Sequence, residues 1–165
     1  MLVGHMGLAY IVKKEQPQIG LWVLFIATYL IDIVDALLEI IGVRLPYSWT
    51  PHFLPGTIGL SMICFIIGFI MFMDIVPGIL IGLLTLSHTM VDYITSKMPL
   101  WANGPEFGLN WYRIPLILFP IEAVVIVIGW NMYRKTFKPE KRSKAAVWIL
   151  LAYLLTLQAV KNFLL

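Results

Sequence analysis

The strongest constraint on this chain is a set of long apolar tracts that contain acids but almost no lysine or arginine. A hydrocarbon core roughly 30 Å thick takes about 20 apolar residues of helix to cross. Inside it the backbone has no water to bond, so a spanning segment must satisfy its own amides and carbonyls. The tracts predict spans over residues 19–43, 56–73, 76–95, 114–133 and 145–165. With 60% hydrophobic and 13% charged residues, the chain has too little polar surface to coat a water-soluble core. The expected fold is all-α: a polytopic membrane helical bundle of about five transmembrane helices, forming a single integral membrane domain over 1–165. Residues 1–12 are apolar but too short to cross, which predicts a half-helix or re-entrant segment supported by protein. A cleaved signal peptide would carry its positive charge before the apolar run, whereas Lys13 and Lys14 come after it. Cys64 stands alone, so an intrachain disulfide is excluded, and it reads as a small packing residue of the second span.

Basic residues orient the bundle. The connection over residues 134–144, RKTFKPEKRSK, holds six of the twelve lysines and arginines, which assigns it to the cytoplasm. Alternation from there places the loop before Ile114 outside, the turn at Asp74 inside and the 44–55 loop outside. Lys13 and Lys14 then fall inside, as the same rule prefers. Topology alone explains the basic run, so no nucleic-acid partner is expected; the lipid bilayer is the expected surroundings. The outer loops LPYSWTPHFLPG and KMPLWANGPEFGLNWYR are rich in aromatics suited to an interfacial belt.

Five of the nine acids interrupt apolar tracts: Asp32, Asp35, Glu39, Asp92 and Glu122. A carboxylate at mid-membrane costs at least about 2.5–3.5 kcal/mol on insertion scales, so each is a functional candidate. No lysine or arginine shares those tracts, so protons, water or a metal ion must offset the charge. Thr28, Asp32, Asp35 and Glu39 step by four, three and four, which places them on one face of a helix. Thr85, His88, Asp92 and Thr95 do the same in the third predicted span. Two polar seams of this kind are expected to face each other, since lipid rejects both. At 1.5 Å per residue Asp32 and His88 lie at the same depth, roughly 20 Å from the inner boundary. His5 falls roughly 13 Å above Lys14 if the first segment is helical. His52 lies in the outer loop.

Imidazole and carboxylate together suit Zn²⁺, Mn²⁺ or Fe²⁺. The expected metal ligands are His5, His88, Asp92 and one of Asp32 and Asp35, with Asp32 preferred and His52 a further candidate. Glu39 and the remaining aspartate are expected as bases. A divalent transition metal, zinc first and then manganese or iron, would supply a nucleophile by lowering the pKa of water to about 7. Two other readings use the same residues. One is a proton- or cation-coupled small transporter or channel subunit, in which the acids relay charge. The other is a non-catalytic membrane partner protein, whose seams only join helices.

The order Gly4–His5, IDIVDALLE, LSHTMVDYIT, GPEFGLNW and Glu122 resembles the bacterial membrane-bound metal-dependent hydrolase-like family. The resemblance covers most of residues 1–130, and Leu86–Thr95 is its most specific part. It implies an inner-membrane protein acting as a hydrolase, with histidines and aspartates as metal ligands. By position it supports His5, Asp32, His88 and Asp92, with Glu122 in a supporting role. Where the family carries S-H-S-L after the first outer loop this chain reads Tyr47–Ser48–Trp49–Thr50, with a histidine at His52. Ser96–Lys97 stand where a further histidine follows the D-x-x-T. The expected activity is hydrolysis of a phospho- or acyl-ester lipid or other amphiphile. Thr85 lies on the same seam as His88, and Asn110 and Arg113 of the outer loop are placed to orient an anionic headgroup. No phosphate-cradling glycine motif, nucleophile elbow or dinucleotide fingerprint is present.

Overall fold

The structure, a computed structural model, describes residues 5–43, 50–136 and 141–164. Gly4, residues 47–49 and residues 137–140 of the basic run lie outside the described residues. Six helices carry the fold, in the order α1 (His5–Glu15), α2 (Leu21–Ile40), α3 (Leu54–Phe72), α4 (Ile75–Thr95), α5 (Pro115–Thr136) and α6 (Lys141–Leu164). Four of them, α2 to α5, are long and apolar enough to cross a membrane. In α6, of 24 residues, the apolar stretch Leu151–Val160 is shorter. With 11 residues, α1 is a short helix, as its sequence implied. The result is a helical membrane bundle. It divides into two compact units, Met1–Leu21 with Trp111–Leu165, and Trp22–Asn110.

In the first unit glycine brings α1 and α5 into near-backbone contact. A Cβ on Gly7 would lie 2.5 Å from the Val125 carbonyl oxygen, and one on Gly129 would run into the Gly7 backbone. Small residues are the usual means of helix association in lipid, where apolar side chains gain little from meeting each other. Tyr10 and Tyr133 pack with ring centroids 5.1 Å apart. Gly7 therefore precedes Tyr10 on α1 by just under one turn, as Gly129 and Val125 precede Tyr133 on α5 by about one and two turns, so the two helices run parallel. Their basic last turns, Lys13–Lys14 and Arg134–Lys135, share one end of the unit. Lys13 closes the chain after α1 by donating to the carbonyls of Pro17 and Ile19, at 2.6 and 2.7 Å. Trp130 of α5 packs against Trp148 of α6, ring centroids 4.3 Å apart and planes tilted by 53°, with the Arg134 guanidinium over both rings.

In the second unit α3 and α4 form a tight antiparallel hairpin. Met73 turns the chain with φ 50°, and the Asp74 side chain caps α4 by accepting from the Val76 amide at 3.0 Å. Glycines again set the approach. A Cβ on Gly78 would lie 2.9 Å from the Phe65 carbonyl oxygen, and one on Gly82 2.9 Å from that of Ser61. Half of the apolar window of α4 is buried, against 22% for α2 and α3, so α4 is the inner helix. α3 turns Met62, Ile66 and Ile70 outward, the pattern of a lipid-facing surface. After α4 a two-stranded ribbon follows, β1 (Met98–Pro99) paired antiparallel with β2 (Glu106–Phe107) and bridged by Lys97 and Glu106 at 2.8 Å.

Candidate metal centre

The two polar seams meet. Thr85 of α4 donates to the Ala27 carbonyl of α2 at 2.9 Å, and one turn later His88 Nε2 stands 3.4 Å from Asp32 Oδ1. α2 and α4 therefore run in register, as equal depth of Asp32 and His88 implied. A further turn along α4, Asp92 Oδ2 reaches back to within 3.2 Å of His88 Nε2. His88 is fully buried and Asp92 nearly so, whereas Asp32 is half-buried.

His52 completes the cluster from outside the helices. Its Nε2 lies 3.1 Å from Asp32 Oδ1, its Nδ1 lies 2.5 Å from Asp35 Oδ2, and its ring centroid is 5.9 Å from that of His88. A loop places it, and the loop is firmly tied. The hydroxyl of Thr57, buried in α3, bonds the Pro51 carbonyl and the Thr89 hydroxyl of α4, both at 2.9 Å. Gly56 leaves room for the Thr50 carbonyl, which any Cβ there would meet. The Leu54 amide bonds the Leu100 carbonyl at 3.0 Å, and the Tyr93 hydroxyl sits between the carbonyls of Pro99 and His52, at 3.1 and 3.5 Å. Residues that no metal motif would single out thus decide where the imidazole goes.

Electrostatics make the cluster demanding. Three carboxylates, from Asp32, Asp35 and Asp92, surround two imidazoles. Burial alone would pull the His52 pKa below its ordinary 6.5; the hydrogen bond to Asp32 and the charges of Asp35 and Asp32 outweigh that and hold it above. Protons on the rings satisfy the arrangement, and so would one divalent cation. The donor geometry fits the cation. One atom each from Asp32, His52 and His88 lie within 4.8 Å of one another. Ligands bonded to a tetrahedral ion at about 2.0–2.1 Å stand about 3.3 Å apart. The Asp32–His52 and Asp32–His88 separations, 3.1 and 3.4 Å, bracket that value. Asp35 meanwhile occupies the place of the carboxylate that orients a ligating histidine through its other nitrogen.

A cavity of about 870 Å³ opens on the His52 side of the cluster. Asp32, Asp35, Glu39 and His52 line it with apolar Leu38 and Val43.

Of the residues singled out in the sequence, the second unit therefore brings together Asp32, Asp35, His52, His88 and Asp92, with Glu39 exposed on the cavity wall. Thr85 joins α2 to α4 through a backbone carbonyl. Asn110 is half-buried in a left-handed turn, φ 55°. His5 on α1 and Glu122 on α5 belong to the first unit, and each is buried, as is Gln158 of α6. Arg113 lies exposed in a short 3-10 turn of that unit, Trp111–Arg113. Thr57 and Tyr93 were not foreseen; the threonine two residues after Pro55 was the available hint. Comparison with family models, curated proteins and solved structures gives no match.

Proposed function

We propose that this chain is a membrane-embedded hydrolase built around one divalent transition metal, zinc by preference, held by Asp32 Oδ1, His52 Nε2 and His88 Nε2. The observation that carries the reading is the convergence of those three donors within 4.8 Å of one another, Asp32 standing at tetrahedral separations from both histidines, beside a cavity large enough for a substrate. With three protein ligands, a bound zinc would keep a position for water, as catalytic zinc sites do. When bound, the ion supplies a water of lowered pKa and polarises the substrate's ester oxygen. Asp35 keeps the proton of His52 on Nδ1, so that Nε2 presents its lone pair to the cluster. Asp92, with Oδ2 3.2 Å from His88 Nε2, accepts the proton that water gives up. The hairpin of α3 and α4 and the buried face of α4 exclude bulk water from this side. The substrate is an ester-bearing amphiphile that enters from the bilayer or its surface. In the bacterial inner membrane, the basic ends of α1 and α5 and the 134–144 connection face the cytoplasm.

The test is elemental analysis of the purified chain, together with release of alcohol from a model ester. Near-stoichiometric zinc, manganese or iron is expected, lost in His52→Ala and in His88→Ala. A wild-type chain that takes up none of these metals at equimolar addition refutes the reading.

A further inference from the structure

Two threonines that supply no ligand join the two histidines that do, and this step rests on the metal-centre reading above. Thr57 lies in the first turn of α3, and Thr89 follows His88 on α4. Both residues are completely buried, and their hydroxyl oxygens stand 2.9 Å apart. The Thr57 oxygen is also 2.9 Å from the Pro51 carbonyl oxygen. A hydroxyl has one proton to give and a carbonyl none. Only one assignment serves both contacts: Thr57 donates to Pro51 and accepts from Thr89. The result is a directed chain that starts one residue after His88 and ends one residue before His52.

Each end of that chain is fixed. Gly78 and Gly82 bring α4 to near-backbone contact with α3. On the other side the Phe53 amide bonds the Thr50 carbonyl at 3.0 Å, and the Thr57 amide bonds the Phe53 carbonyl at 2.9 Å. Residues 50–53 therefore form a closed turn continuous with α3. The other tie from α4 to this turn is weaker: the Tyr93 hydroxyl is 3.5 Å from the His52 carbonyl and closer to that of Pro99, at 3.1 Å. Interhelical hydrogen bonds inside a membrane add little to stability, so the pair contributes more to placement than to the fold. Placement matters because ligands must be held to within about 0.5 Å by the groups behind them.

We propose that Thr57, with Thr89 behind it, is the positioning residue that fixes His52 relative to His88, and that this pair sets both the affinity of the centre for its metal and the tetrahedral geometry of the bound ion.

The experiment uses the full chain in detergent with Zn²⁺ and Co²⁺ as probes. Zinc affinity is read by competition with a chelating dye. Cobalt reports geometry, because a tetrahedral Co²⁺ absorbs visible light far more strongly than a six-coordinate one. Thr57→Val exchanges the hydroxyl for a methyl group of the same shape; it should weaken zinc by about tenfold, the lower end for groups that orient a ligand, and dim the cobalt band. Thr57→Ser keeps the hydroxyl and should hold zinc to within about twofold of the wild type, with the band restored. Thr89→Val should weaken zinc by about threefold in the wild type and no further in Thr57→Val, since the chain acts as one unit. Should Thr57→Val fail to fold, Thr89→Val and Thr57→Ser carry the test. Thr28→Val is the control: Thr28 is equally buried, but its hydroxyl bonds the Leu24 carbonyl of its own helix at 2.7 Å. It should leave zinc within about twofold of the wild type. Unchanged zinc affinity and cobalt spectrum in Thr57→Val or in Thr89→Val, or an equal loss in Thr57→Ser or in Thr28→Val, overturns the positioning role and leaves the metal centre intact. A wild-type chain that binds neither ion refutes the metal centre itself.

Discussion

Replacing Asp35 separates a positioning carboxylate from a catalytic one. Its Oδ2 accepts from His52 Nδ1 at 2.5 Å, and among the described residues no backbone group shares that duty. Carboxylates in this position are worth about 10–100-fold in metal affinity. The Asp35 side chain is 43% exposed, so solvent screens its charge and the lower end applies. In Asp35→Asn the amide oxygen still accepts the Nδ1 proton, so the loss should be about threefold, from charge alone. Asp35→Ala removes both and should weaken zinc by about tenfold, or about 1.4 kcal/mol. His52→Ala, which deletes a ligand, must exceed either. The assay is competition for zinc against a chelating dye in detergent at constant pH, with Tm recorded for each variant. Equal losses in Asp35→Ala and His52→Ala would make Asp35 a ligand in its own right. No loss in Asp35→Ala would refute the idea that it orients the imidazole.

Three further outcomes are expected. The raised pKa of His52 means that the folded, metal-free chain binds its proton more tightly than the unfolded one. That contribution is complete below about pH 6.5 and fades as pH climbs through the higher folded value, so the Tm of metal-stripped protein should fall from pH 6.5 upward; a Tm that rises instead over that range contradicts the assignment. Asp92→Asn should keep zinc within about tenfold of the wild-type affinity while lowering kcat by about 10²–10⁴, read by dye competition and ester turnover on one preparation. Gly129→Val should drive a side chain into the Gly7 backbone and destabilise the first unit by about 1–3 kcal/mol, measured by denaturation in bicelles. The same substitution at Gly59, where a Cβ meets nothing within 4 Å, should cost far less.

The helices, their lengths and the two polar seams were legible in the residue order because each depends on spacing alone. Bilayer thickness sets about 20 residues per span, and 3.6 residues per turn puts Asp32 with Asp35 and His88 with Asp92. Even the meeting of Asp32 with His88 follows from depth, given that lipid expels both seams. His52 was legible only as a further candidate ligand; where its ring goes was not. A loop residue has no helical phase to place it, and its position comes from Thr57, Tyr93 and Leu100, which lie up to 48 residues away in sequence. That placement in turn changed the meaning of its neighbours. Asp35, expected as a base, holds a histidine, and Thr85, expected beside the ligands, ties α4 to α2. Local periodicity determined which residues share a face and how deep they lie. Only the packed chain decided which atoms touch, because those contacts join segments whose relative placement no single helix encodes.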